Sequence, residues 1–419
     1  MNTFAQGSVS GCSFAEAITS ANNDADFGNC AGVGAYGADT INLTAGTYNL
    51  TAIDNDANGL PVITDPDGLT INGNGSTLAR TLGNVAPFFR FIQVDAGPLT
   101  INGLTLSGGN VNLANGGAIL MNAGGGSLTV TDSPLTGNTA GSAAFSGNGG
   151  AIYDGSTRAL TVTNSPFSNN TAFGNGGAIY KPGGSGVTVT DSPFTGNTAG
   201  DANFSGNGGA IYDGSTRALT VTRSAFSNNT AFGNGGAVYK PGGSSTTVTD
   251  SPFTGNTAGF TGFSGNGGAL YDGSSGTGPA TNNCFVHDTA FGSGGSIFRA
   301  GAPTLNAENN WWGAANGPSE EGPGSGDGVS TNVDFIPFLT AAQGFCPQQP
   351  IPTLSEWAQR HDRPPDRRWP PGPPAHQARG AHPTCLTTHL PPLSHFHVTR
   401  RLLRGQSDSP LQPLARPLS

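Results

Sequence analysis

The sequence predicts an all-β fold: a right-handed parallel β-helix with a short capping helix at its N-terminal end and a disordered C-terminal tail. Three observations predict it. First, "NGGA" cores start at Asn115, Asn148, Asn175, Asn207, Asn234 and Asn266, with a degenerate "SGGSI" at Ser293. A repeat of this length suits a solenoid, in which each turn buries its inner face only by stacking on its neighbours. Second, "ALTVT" (159–163), "GVTVT" (186–190), "ALTVT" (218–222) and "TTVT" (246–249) alternate apolar residues and Thr. A period of two with β-branched residues reads as strand. Third, 67 Gly and only 10 % charged residues argue against an ordinary helical globule.

The elements follow in order. Residues 1–38 form an N-terminal cap, in which the amphipathic stretch "CSFAEAITSANN" (12–23) is the helix candidate. A helix there would cover the open edge of the first turn. Cys12 and Cys30 lie close enough to close a small loop, and an exported chain is expected to bridge them. Residues 39–114 read as irregular first turns, from "DTINLTAGTYNLT" (39–51) to "PLTINGLTLSGGN" (98–110). Residues 115–310 hold the regular repeats. From each "NGGA" Asn to the Asn ending the next "FxxN"-like motif the distance is fixed, whereas the return loop alternates between long and short. The two-turn segments Asn148–Gly206 and Asn207–Gly265 are near-copies. Three short strands are expected per turn, with Gly pairs such as Gly176 and Gly177 at the tight corners. Residues 311–350 close the helix. The pairing of Cys284 and Cys346 stays open at this point.

Residues 351–419 change character abruptly. Residues 1–359 carry 8 Lys or Arg against 23 Asp or Glu, whereas residues 360–419 carry 9 Arg against 3 Asp. The Pro- and Arg-rich tail reads as disordered chain and as an out-of-frame translation of GC-rich DNA. The acidic body disfavours nucleic acid as its partner, and none is expected. No apolar run is long enough to span a membrane as a helix. "MNTFAQGS" lacks the basic start and apolar core of a secretory signal. Since the composition otherwise looks exported, the true N-terminus is expected to have been lost.

Three resemblances rest on these residues. "GCSFAEAITSAN" followed by "GADTINLTAGTYNLT" resembles the CSLREA-type N-terminal domain of bacterial surface proteins. Cys12, Ser13, Glu16 and Ala17 match its motif, and Phe14 and Ala15 depart from it. The paired "GGA[ILV]" and "FxxN" motifs resemble the repeats of polymorphic outer membrane proteins. FxxN is intact at Phe167–Asn170, Phe194–Asn197, Phe226–Asn229 and Phe253–Asn256, and "ENNWWGAANGPS" (308–319) is similar to a closing segment of such β-helices. "IPTLSEWA" (351–358) resembles the IPTL-type C-terminal sorting signal. Together they imply an extracellular or outer-membrane β-helix, adhesin-like, facing a host or environmental surface through an unidentified glycan or protein ligand.

Candidate chemistry comes next. In "DNDANGLPVITD" (54–65), Asp54, Asp56 and Asn58 alternate and Asp65 stands twelfth, the pattern of a calcium loop; an Asx-rich turn is the plainer reading. No other cofactor is expected. Asp154, Lys181, Asp213, Lys240, Asp272 and Arg299 each follow the aromatic of a "GGAIY"-type motif. Their signs alternate from turn to turn, so they read as an exposed column pairing up and down the stack, each pair contributing about 1 kcal/mol or less. Tyr153, Tyr180, Tyr212, Tyr239, Tyr271 and Phe298 form a matching column, either core or outward strip. With Val inward, Thr161, Thr163, Thr188, Thr190, Thr220, Thr222, Thr247 and Thr249 make two outward rows. They are a possible binding face, and similar flat rows occur on ice-binding β-helices. His287, in a decayed repeat, reads as a surface loop residue.

No catalytic residue is expected. A polysaccharide lyase or glycoside hydrolase is the rival reading, because such enzymes use β-helices. It requires unrepeated acids on one outer face, whereas most acids here recur with the repeat, and Arg158 and Arg217 are copies of each other.

Overall fold

The computed structural model describes residues 3–6, 11–32 and 37–346. The IPTL-like motif, the basic tail and Cys385 lie outside the described residues. What is described is an all-β parallel β-helix of about ten turns with one short helix.

The helix, α1 (Phe14–Asn23), starts where local chemistry favours it. The Ser13 hydroxyl accepts the Glu16 N–H at 3.2 Å, and the Glu16 carboxylate accepts the Ser13 N–H at 2.8 Å. This reciprocal box satisfies two N–H groups that helix geometry leaves without partners. Phe14, Ala17, Ile18 and Ala21 face the core. A disulfide joins Cys12 to Cys30. Asn22 clamps the helix to the body, donating to the Val62 carbonyl at 2.7 Å and accepting from the Thr64 N–H at 2.8 Å.

A regular turn holds four short strands, one more than the sequence reading. In one turn these are Ile152–Asp154, Leu160–Thr163, Phe167–Ser168 and Thr171–Ala172. The additional strand is Thr171–Ala172, set off from Phe167–Ser168 by Asn169, whose left-handed φ of 54° bends the chain between them. Turns pair in parallel and in register: Leu160 with Leu128 and Val187, Ile152 with Ile119 and Ile179, and Thr171 with Thr139 and Thr198. Stacked strands form a 17-stranded, a ten-stranded and an eight-stranded sheet.

Inward side chains repeat from turn to turn. Ile152, Leu160, Val162, Phe167 and Ala172 are all fully buried. Phe167, Phe194, Phe226, Phe253 and Phe285 stack with ring centroids 4.8–5.2 Å apart, and Trp312 of the closing segment adds the last ring 4.9 Å from Phe285. Burying each ring stabilises the stack by about 1.5–3 kcal/mol. The second Gly of each pair is required by close approach: a Cβ on Gly177 would sit 2.0 Å from the Gly209 carbonyl oxygen. A second disulfide, Cys284–Cys346, ties the closing segment to the last regular turns.

Buried polar ladders connect the turns. Asn138, Asn170, Asn197, Asn229 and Asn256 are fully buried. Each donates its backbone N–H and its amide Nδ2 to the Oδ1 of the next rung; for Asn197 to Asn229 these distances are 3.0 and 2.9 Å. Each amide also reaches a backbone carbonyl, as Asn229 does to Phe194 at 3.0 Å. Two further ladders run alongside it. One passes hydroxyl oxygens through Ser133, Ser165, Ser192, Ser224 and Ser251. The other links Asn115, Asn148, Asn175, Asn207, Asn234 and Asn266 at the Gly corners. Replacing Asn229 with Leu removes four hydrogen bonds: it strands two buried donors on Asn197 and takes a donor from the Phe194 carbonyl and from Asn256 Oδ1. We expect a loss of at least ~3 kcal/mol in chemical denaturation. An unchanged unfolding midpoint would show the ladder to be dispensable.

Candidate functional sites along the β-helix

The charged column is the largest correction to the sequence reading. Asp154, Lys181, Asp213 and Lys240 are fully buried, as is Asp272, and Arg299 is 2 % exposed. The strand alternation places them there. Ile152 points in, Tyr153 points out, and Asp154 points in again. The pairing is also discrete. Lys181 Nζ lies 2.9 Å from Asp154 Oδ2, Lys240 Nζ lies 3.0 Å from Asp213 Oδ2, and Arg299 pairs with Asp272. Lys181 and Asp213 are register neighbours without an ion pair. Each pair therefore belongs to one two-turn unit.

Burial demands that the remaining bonds be made as well. Lys240 Nζ also donates to the Ser215 carbonyl at 2.7 Å, the Ser215 hydroxyl at 3.0 Å and the Arg217 carbonyl at 2.9 Å. Asp213 accepts the Ser215 N–H at 2.9 Å. So enclosed, the pairs are structural pins and present no charge to a ligand. Lys240→Met should cost roughly 3–5 kcal/mol by leaving Asp213 charged and buried, whereas Asp213→Leu with Lys240→Met should be close to neutral. Equal losses from the single and double variants, measured by denaturation, would contradict this account.

Three of the four calcium candidates hold protein partners. Arg90, largely buried, donates to Asn58 Oδ1 at 2.6 Å, filling the oxygen a cation would need. Burial lowers the Arg90 guanidinium to a pKa of about 10. Asp54 instead accepts from Asn55 at 2.7 Å. The Asp65 carboxylate caps the turn at Asp67, accepting its N–H at 2.9 Å, and burial raises its pKa. Among the described residues no three His, Cys, Asp or Glu side chains form a metal-holding group.

On the outer face of the 17-stranded sheet, Thr161, Thr188, Thr220 and Thr247 align in one row and Thr163, Thr190, Thr222 and Thr249 in another. All are partly exposed over buried Leu and Val. Registers extend the first row back through Thr129, Thr100 and Thr70 to Thr40, and the second through Thr131 to Asn102, Asn72 and Asn42. The corner beside the rows carries one of the differences between the two near-copies. Asn164 donates to Asp132, while Arg223 makes two bonds to Asp191 at 2.8 and 2.9 Å. The tyrosine column points outward from the ten-stranded sheet, half-buried, with ring centroids 4.7–5.3 Å apart. Burial, then the neighbouring phenols, raises Tyr180 and Tyr239 to about 12.

Two features escaped the sequence reading. One is an outward set of Phe rings beside the eight-stranded sheet, including Phe145, Phe263 and Phe291, which are 39 %, 36 % and 52 % exposed. Their signal was the recurrence of Phe in both the long and the short return loops. The other is a buried carboxylate pair. His287 is exposed, but its neighbour Asp288 replaces Asn as a ladder rung and accepts from the Asn256 N–H and amide at 2.8 Å. Asp327 supplies the next rung, accepting the Asp288 N–H at 2.8 Å. The Ser296 hydroxyl lies 2.8 Å from Asp327 Oδ2 and 3.4 Å from Asp288 Oδ2.

Burial, then the Asp327 charge, raises the Asp288 carboxyl well above its ordinary range; burial raises Asp327 too. Both native carboxyls hold protons more tightly than in the unfolded chain. Their stabilising contribution is full below the unfolded pKa and is lost as pH rises through the raised values. Asp288→Asn restores the repeat's own rung. It should raise the melting temperature at neutral pH and shrink the gain that the native protein shows on mild acidification. Parallel pH profiles for variant and native protein would refute the coupling.

These features describe a scaffold: a β-helix closed inside by ladders and pins, with its long outer faces left open. The Chlamydia polymorphic membrane protein repeat matches residues 167–181 and 223–240. The similarity falls on the stacked Phe167 and Phe226, the ladder residues Asn170 and Asn229, and the buried Lys181 and Lys240. No curated protein matches the chain.

Proposed function

We propose that this is an exported bacterial surface protein, extracellular or outer-membrane, whose β-helix binds or displays in an adhesin-like manner and carries no catalysis. The repeat similarity supports the location, since the matched family is named for membrane proteins. One observation carries the binding reading: the charged column is engaged inside the wall, and uncharged Thr and Asn with half-buried aromatic side chains line the outer faces of the strands, the exposed Asp132, Arg158, Asp191, Arg217 and Arg223 standing at corners and loops beside them. A glycosidase needs two carboxylates facing a common substrate space. The buried Asp288 and Asp327 instead serve backbone N–H groups as ladder rungs.

The test pairs location with activity. With an export signal supplied, the full chain produced in a Gram-negative host should be labelled on intact cells and should retain them on host or environmental surfaces. Cleavage of acidic polysaccharides, abolished by replacing one unrepeated carboxylate, would overturn this reading in favour of the lyase or hydrolase. A second reading, ice binding, is favoured by the register of the Thr rows across eight turns from Thr40 to Thr247. Thermal hysteresis that disappears in Thr188→Glu would establish it; its absence would remove it.

A further inference from the structure

The eight-stranded sheet carries a third row, distinct from the Thr pairs of the large sheet. Asn110, Thr139, Thr171, Thr198, Thr230, Thr257 and Thr289 align in register. Ala140, Ala172, Ala199, Ala231 and Ala258 lie buried behind them. Beyond this row each turn returns through a loop that presents a Phe. Long loops carry Phe145, Phe204 and Phe263, and short loops carry Phe173, Phe232 and Phe291. Each series recurs once per two turns, about 9.6 Å along the stack.

Phe145, Phe263 and Phe291 are exposed, whereas Phe173, Phe204 and Phe232 are partly buried, as the tyrosines are. Tyrosines stand on every turn and stack on one another, leaving mainly their edges free. Ring contacts in the Phe strip occur only near its far end, where Phe260 lies 4.9 Å from Phe232 and 5.1 Å from Phe263. At the near end, Phe88 and Phe173 flank a hollow of about 370 Å³ lined also by Asn84, Asn110, Asn112 and Thr139. An apolar hollow of about 480 Å³ adjoins it, sharing Phe88 and Asn112 and adding Ile53 and Leu113.

No acid or base lines either hollow. Arg80 adjoins the cleft: its guanidinium carbon stands 5.4 Å from the centroid of the Phe88 ring, while its N–H groups donate to the Gly83, Val85 and Pro87 carbonyls and hold the loop in place. Asp201, in one long loop, accepts the N–H groups of Asn203 and Phe204.

We propose that this strip, headed by the Phe88–Phe173 cleft, binds an extended neutral polysaccharide of the β-1,4-linked type. Apolar sugar faces stack on the Phe rings, and ring hydroxyls bond the Asn amides and Thr hydroxyls. The uncharged lining and the acidic body, with 8 basic against 23 acidic residues over residues 1–359, disfavour uronic acid polymers. Period selects the linkage. A β-1,4 chain turns each sugar over against the last, so it presents the same face every second sugar, on a repeat of about the length of two turns here. An α-linked helical chain has no such match. The proposal names the ligand class of the binding reading above and rests on that reading.

The experiment uses the full chain with insoluble cellulose and chitin and with their soluble hexasaccharides; amylose and polygalacturonate serve as contrasts. Binding to one or both β-1,4 probes is expected. A Phe88→Ala, Phe173→Ala double variant should weaken it about tenfold or more. Thr171→Glu should weaken it without removing a ring, and Arg158→Ala, in an exposed loop, should leave it unchanged. Thermal melting confirms that each variant folds. Failure to bind either β-1,4 probe, equal binding to amylose or polygalacturonate, or full affinity in both strip variants would each overturn the proposal. If cell-surface retention persists while the β-1,4 probes are not bound, the ligand class alone is wrong. If the probes are bound but also cleaved, the glycan site stands and the non-catalytic reading falls.

Discussion

Register between turns is the constraint on which everything else depends. A parallel stack has no short-range hairpin to set its pairing, and a slip of one residue would turn every inward side chain outward. Here the register is fixed by side chains that take a hydrogen bond from one turn and give one to the next. Asn229 is the model case: its oxygen receives two bonds from Asn197, and its amide reaches both Asn256 and the Phe194 carbonyl. Such a residue is satisfied only when its neighbours are at the correct height and phase. The Phe stack, the Ser ladder and the Gly corners all require the same registration.

That constraint explains why the fold was readable from the residues and why some details were not. Gly pairs, FxxN motifs and Thr–Val alternation are local signals repeated at nearly fixed distance, so each copy reinforced the last. The Asp–Lys column was misplaced because two rules disagreed. Period two put Asp154 on the same side as Ile152, while the general avoidance of buried charge argued for the surface. Alternation prevailed, because each Asp has its cation one turn away and backbone carbonyls complete the shell.

Other features depended on partners remote in sequence. The spacing of Asp54, Asp56, Asn58 and Asp65 carried no information about Arg90, which takes the Asn58 oxygen. Nothing near His287 announces that Asp327, from the closing segment, will complete the ladder below Asp288. The Cys284–Cys346 bridge likewise becomes visible only once the closing segment is folded back. By contrast, the loop Phe residues were in plain view. One stands in each long and each short return loop, and nothing in the loop lengths marks them.

The confinement of each buried ion pair to one two-turn unit has a consequence for how such a gene can change. Loss or gain of a 59-residue block, such as Asn148–Gly206, leaves every remaining cation beside its own carboxylate. Excision of a single turn, residues 175–206, would instead set Asp154 next to Asp213 in the wall, with one lysine for both. Recombination among the copies is therefore filtered by electrostatics. Viable alleles should differ in length by whole pairs of turns, so the length of the β-helix would vary in steps of about 9.6 Å.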